Sequence, residues 1–187
     1  MGCVSALGNT PEILWENLLA GKSGVTTITH FDTSAYEVHF AAEVKEFDAS
    51  PYFNDRDQKR YSRNIQYAVS AASDAVKNSG LNVDSLDKSR AGVILASGMG
   101  GMDVYYDTSA TLSNKGPRRV SPFFIPMAIT NMAAGEVSIR FGFMGPNFTT
   151  TSACASSNHA LIAAADQIRL GRADVMLAGG SEESVSY

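Results

Sequence analysis

Residues 147–160 read NFTTTSACASSNHA, and the architecture turns on this stretch. Its first half, 147–153, carries three consecutive threonines. β-branched side chains are stiff at χ1 and sit well on a pleated surface, so a strand is expected there. From 155 to 170 the chain is rich in alanine, the best helix former, and a helix is expected. No linker separates the two, so Cys154 falls where a strand turns directly into a helix. Upstream, the apolar run 91–96 (AGVILA) is short and β-branched enough for a buried strand, and 175–178 is another. Strands that alternate with helices in this way imply a layered α/β domain with a mainly parallel sheet.

The helices are read from caps and periodicity. Thr10 followed by Pro11 forms an N-cap and first helical residue, and Leu14, Trp15, Leu18 and Leu19 mark a short amphipathic helix ending near Gly21. A strand is expected over 40–47. Asn54 and Asp55 open one long helix with Ile65, Ala68, Val69, Ala72 and Val76 on its apolar face, stopped by Gly80. Further helices are expected across 105–112 and 127–141.

Composition narrows the function classes. A chain of 187 residues with 44% hydrophobic and 18% charged residues is ordinary for a globular domain of one core. A net charge of −4 argues against a general nucleic-acid binder, and no apolar run approaches the ~20 residues of a membrane-spanning helix. Cys3 and Cys154 lie far apart, with neither a disulfide framework nor zinc-ligand spacing, which suits a reducing, cytoplasmic setting. The opening MGCVS is not an acylation signal, because Ala6 stands where that pattern needs Ser or Thr, and a secretory leader is not expected.

Cys154 is the candidate nucleophile. Backbone N–H groups and the helix dipole at a helix start favour a thiolate, and the small neighbours Ala153, Ala155, Ser156 and Ser157 leave room for a carbonyl. The Cys154 N–H could then face a developing oxyanion. A free cysteine is also a common small hydrophobe of protein cores, and the local residues by themselves leave both readings open. No base is evident. His159 lies five residues on, a rotation of about 140° on a helix, which points it away from the sulfur and suits a core or interface histidine. His30 and His39 show no metal-ligand spacing.

Three other segments carry candidate chemistry. SGMGG after the 91–96 strand is not a dinucleotide fingerprint, because Asp103 takes the last glycine position. Arg56, Lys59, Arg60 and Arg63 recur at i, i+3, i+4 and i+7, a basic stripe that is either a solvated helix face or a partner site. Lys115, Arg118 and Arg119 form a second basic cluster with no assigned role, and Glu182 and Glu183 follow a glycine turn.

TTSACASS, preceded by GFMGPNF and followed by GRADVMLAGGSEES, resembles the active-site region of the β-ketoacyl-acyl-carrier-protein synthases, thiolase-fold condensing enzymes. VSALG, LLAGKSGV, FDTS, GVILASGMGG and SPFFIPMAITNMAAG resemble the same family in the same order, so the similarity runs through the whole chain. It implies a layered thiolase-like α/β fold, with residues 1–187 as the N-terminal half and a mainly parallel mixed sheet between helices. Residues 1–5 resemble the end of the family's first strand, so the chain is expected to be a fragment lacking most of that strand.

The resemblance also implies roles. Cys154 falls on the acyl-accepting cysteine; Met99, Met102 and Phe124 fall on acyl-pocket positions, the last reaching across a dimer interface. Arg56, Lys59 and Arg60 match the patch that docks acidic acyl carrier protein. The substrates would be acyl and malonyl thioesters, the assembly a homodimer, and no metal or other cofactor of its own is expected, because the phosphopantetheine arm arrives on the carrier. The condensing histidines, a lysine and a glycine-rich gate belong to the second half, so residues 1–187 alone are expected not to condense. A non-catalytic, chain-length-factor-like partner subunit is the alternative, against which Cys154 stands. Glu182 is structural in the family.

Overall fold

In the computed structural model, which describes residues 1–185, Thr10 caps helix α1 (Pro11–Leu19). Its hydroxyl accepts the Ile13 N–H at 3.3 Å, with Pro11 at the first helical position. An antiparallel ribbon follows, β1 (Thr26–Thr27) against β2 (Phe40–Ala41). The strand expected over 40–47 is therefore only two residues long. At Glu43 a side chain takes over the acceptor role of the ladder. Its carboxylate receives the N–H groups of Thr29 and His30 at 2.9–3.0 Å.

The long helix expected from residue 54 is two helices, α2 (Asp55–Gln58) and α3 (Arg63–Ser79). The break is held by Gln66, whose side-chain amide donates to the carbonyls of Gln58 and Tyr61, both at 2.9 Å. Those acceptors need no further helical turn, and Tyr61 turns inward to lie 5.5 Å from the Phe53 ring. Gly80 ends α3 in the left-handed conformation, φ 70°.

β3 (Ala91–Ala96) forms where expected, with every residue buried. It is followed by α4 (Met102–Lys115), α5 (Phe124–Ala128) and α6 (Met132–Phe141). A single helix over 127–141 does not form, because its carbonyls are used elsewhere. That of Ala128 accepts the Gly101 N–H at 3.1 Å, and that of Thr130 accepts the Thr149 hydroxyl. β4 (Asn147–Phe148) is likewise shorter than the expected 147–153. Beyond Phe148 the threonine hydroxyls bind backbone across the fold instead of extending a ladder: Thr150 donates to Ser156 O at 2.9 Å and Thr151 to Ser97 O at 3.0 Å. Helix α7 (Ser156–Arg169) and strand β5 (Val175–Gly180) complete the described elements.

The three main strands lie parallel in the order β4-β3-β5, with Ala91 opposite Val175 through Ala96 opposite Gly180. Alternation along β3 explains its unbroken apolar run. Val93 and Leu95 pack with Ile65, Val69 and Ala72 of α3 and Ala134 and Val137 of α6. Ile94 and Ala96 face the other way, onto Ala160 and Ala164 of α7. Helices thus cover both faces of the sheet, the layered α/β arrangement that was expected. Each fully buried Ile or Val here contributes roughly 2 kcal/mol. The alanines of α7 let that helix sit close to the strands, which fixes the position of its first turn.

Candidate active site

Because β3, β4 and β5 are parallel, the loops that follow them collect at one end of the sheet. Ligand sites of open α/β sheets lie at this carboxyl end. Three loops meet there: 97–101 after β3, 149–155 after β4, and 181–183 after β5. Thr151 ties the second to the first through Ser97 O. Glu182 ties the third to the first, its carboxylate accepting the Gly98 N–H at 2.5 Å and the Ser97 hydroxyl at 3.2 Å. Glu182 therefore holds the loop bearing Met99 and is a structural clamp, as expected.

Cys154 is solvent-exposed, two residues before α7. The core-hydrophobe alternative for this cysteine fails within this domain. The residue before it, Ala153, has φ +48°, the left-handed region that non-glycine residues seldom enter. This sharp turn projects Cys154 from the strand end toward the start of the helix. Among the described residues the Cys154 N–H makes no hydrogen bond, so it is free to donate. The helix start lies beside it, with its positive dipole end on the cysteine side.

The turn is closed by side chains that sequence reasoning passed over. Ser156 is 4% exposed. Its Oγ accepts the Ser152 N–H at 2.7 Å and donates to Ala153 O at 2.6 Å. The signal available in the sequence was a serine at the start of a predicted helix, a frequent site of side-chain-to-backbone bonding. His159 corrects the core half of the core-or-interface expectation. It is exposed rather than core, and its Nδ1 lies 2.8 Å from Ser152 Oγ. The first turn of α7 packs back over 152–155, bringing the ring toward the segment before Cys154.

Met99 sits in the loop after β3 and is 46% exposed, and Met102 opens α4. Phe124 opens α5, with its ring edge-on to Tyr105 of α4 at 5.4 Å. Met102 and Phe124 thus begin two helices that pack together. Gly100 (φ +72°) permits the close approach of this loop, because a Cβ there would collide with the Ala128 carbonyl.

The four-residue basic stripe is interrupted by the break between α2 and α3. Arg56 lies on α2, Lys59 and Arg60 in the connection, and Arg63 begins α3. Arg56, Lys59 and Arg60 still meet, lining a shallow depression of about 510 Å³ with Asp55 and Phe123. The Arg60 guanidinium stacks 4.2 Å from the Phe123 ring centroid and lies 3.9 Å from Asp57. Phe123 immediately precedes Phe124, so the basic depression adjoins the α4–α5 apolar region. In the second cluster Lys115 ends α4 and Arg118 and Arg119 lie in the turn Pro117–Arg119, and Lys115 and Arg119 line one depression with Thr111.

The sequence profile described as "Beta-ketoacyl synthase, N-terminal domain" matches residues 1–187. The chain belongs to the beta-ketoacyl synthases. This synthase domain is 43% identical over 184 residues to 3-oxoacyl-[acyl-carrier-protein] synthase 2 of Vibrio cholerae serotype O1, covering 98% of the chain and 44% of that relative. It is 41% identical over 187 residues to the Staphylococcus aureus enzyme of the same name, covering 100% of the chain and 46% of the relative. The synthase domain therefore spans less than half the length of these curated relatives. Its fold superimposes on the solved ishigamide ketosynthase/chain length factor with a TM-score of 0.87 at 28% identity, covering 96% of the chain and 45% of that structure. The thiolase-like expectation, a ketosynthase N-terminal half with a parallel sheet between helices, is borne out.

Proposed function

We propose that the polypeptide carrying this domain is a 3-oxoacyl-[acyl-carrier-protein] synthase in which Cys154 takes an acyl group from acyl carrier protein. The observation that carries the reading is an exposed cysteine, on a left-handed turn at the start of a helix, in a chain 41–43% identical to enzymes of that name. In the first stage the Cys154 sulfur attacks the thioester carbonyl and a new S–C bond forms. The bond to the carrier's phosphopantetheine sulfur breaks, and that sulfur leaves with the proton as the free thiol. The free Cys154 N–H is suited to one half of an oxyanion hole. In the second stage malonyl-carrier loses CO₂, and its carbanion displaces the Cys154 sulfur from the acyl group, giving a chain two carbons longer.

Met99, Met102 and Phe124 serve in this reading as walls of the acyl channel, and Arg56, Lys59 and Arg60 as the docking surface for the acidic carrier. The enzyme works as a homodimer, with residues 1–187 as the first of two halves and the condensing residues in the second. Mass spectrometry after incubation with acyl-carrier tests the first stage. The acyl mass is expected on the Cys154 peptide and lost in Cys154→Ala; an adduct confined to Cys3, or none, would sink the reading. Radiolabelled malonyl-carrier tests the second: residues 1–187 alone should yield no 3-oxoacyl product.

A further inference from the structure

We infer that Ser156 is a positioning residue, holding Cys154 in its attacking geometry by locking the strained turn at Ala153. This rests on the acyl-accepting role proposed for Cys154. Every polar group of Ser156 is turned onto the segment 150–153. Its hydroxyl accepts the Ser152 N–H at 2.7 Å and donates to Ala153 O at 2.6 Å. Its N–H donates to the same Ala153 O at 3.1 Å, and its carbonyl accepts the Thr150 hydroxyl at 2.9 Å. The Ser152 N–H and the Ala153 carbonyl, which bracket Ala153's left-handed φ of +48°, are thereby fastened to the first residue of α7.

The energetics favour a specific role over incidental polar satisfaction. An alanine in the left-handed region is strained by roughly 1–2 kcal/mol and holds that conformation only where its surroundings enforce it. The Ser156 hydroxyl spans the strained residue, gripping the Ser152 N–H on one side and Ala153's own carbonyl on the other. At 4% exposure water cannot replace it. Without the hydroxyl, Ala153 can relax toward negative φ. Cys154 would then swing while the thiol itself stayed present and exposed.

The strain at Ala153 and the Ser156 hydroxyl are coupled. Glycine enters positive φ without strain, so Ala153→Gly removes the penalty that the Ser156 hydroxyl offsets and should make that hydroxyl dispensable. The full natural polypeptide, as wild type, Ser156→Ala, Ala153→Gly and the double variant, is treated with octanoyl-N-acetylcysteamine, and acylation of Cys154 is timed by mass spectrometry. Iodoacetamide alkylation of Cys154 is timed in parallel, since that reaction develops no oxyanion. Ser156→Ala is expected to acylate about tenfold more slowly than wild type, the scale of one or two lost hydrogen bonds, with alkylation changed less than about threefold. Ala153→Gly should acylate within about threefold of wild type, and the double variant should return to within about threefold of Ala153→Gly.

Ser156→Ala acylating at the wild-type rate overturns the inference, as does a double variant as slow as Ser156→Ala. A parallel fall in acylation and alkylation also overturns it, because that marks loss of the thiol's environment rather than its aim. If Ser156→Ala does not fold, the comparison moves to the glycine background. A folded double variant acylating like Ala153→Gly supports the inference, and an unfolded or slow one overturns it. Wild type that accepts octanoate from the small thioester but not from the carrier would defeat the proposed function alone. Wild type that accepts it from neither defeats both.

Discussion

Glu43 is 1% exposed, and a carboxylate so placed must be compensated by its partners. Burial by itself would raise its pKa. The N–H groups of Thr29 and His30, the Thr29 hydroxyl and the nearby His30 ring outweigh this and hold it below the ordinary glutamate value. A carboxyl whose folded pKa is depressed contributes stability that is present above its unfolded pKa, about 4.3, and lost as pH falls through the folded value. Glu43→Gln should therefore cost about 2 kcal/mol at neutral pH, from weakened charge-assisted hydrogen bonds. Urea unfolding at neutral and acidic pH checks this: the gap between wild type and variant should narrow below about pH 4, and a constant gap would contradict it. Single residues were legible unevenly. Cys154 announced itself by standing between a threonine run and an alanine run. Glu43 and Ser156 did not, because one carboxylate or hydroxyl bonded to distant backbone leaves no periodic trace.

Elements were legible where their own pattern decided them. β3 and the body of α3 follow the apolar spacing of 91–96 and of Ile65, Ala68, Val69 and Ala72. Their interruptions do not. The gap between α2 and α3 depends on the Gln66 side chain, and the gap between α5 and α6 on a Gly101 N–H that takes the Ala128 carbonyl. Two glycines separate these kinds of control. Gly80 caps α3 at φ +70° with open space where a Cβ would stand, whereas Gly100 has φ +72° and the Ala128 carbonyl in the way. Gly80→Ala should thus lose only the conformational term, about 1 kcal/mol, and leave Cys154 acylation at the wild-type rate. Gly100→Ala should lose about 2–4 kcal/mol, because the clash adds to the same backbone strain. Equal losses in thermal or urea unfolding would show that the contact between the loop and α5 relaxes freely.

At the scale of the whole molecule, charge is distributed against its own sum. The chain carries a net −4, yet Arg56, Lys59 and Arg60 converge on one depression beside Phe123. Their spacing alone suggests a continuous helical stripe. The fold breaks that helix but keeps the three cations together, because Arg60 leaves α2 to stack on Phe123. On the proposed function, a domain of net negative charge would repel an acidic carrier over most of its surface, so docking would depend on such a local reversal of sign. Other parts of the surface point to packing rather than charge. Leu161 and Ile162 on α7 are 53% and 58% exposed, away from the alanines that face the sheet, which suits the proposed second half or twin subunit. If the depression is the carrier dock, reversing Arg56, Lys59 and Arg60 to glutamate should raise KM for acyl-carrier by roughly tenfold or more and flatten its salt dependence. The rate with octanoyl-N-acetylcysteamine should stay near wild type, because that donor carries no acidic surface to be steered. A matched loss with both donors would place the damage at Cys154 instead, and an unchanged KM for acyl-carrier would remove this surface from the recognition of the carrier.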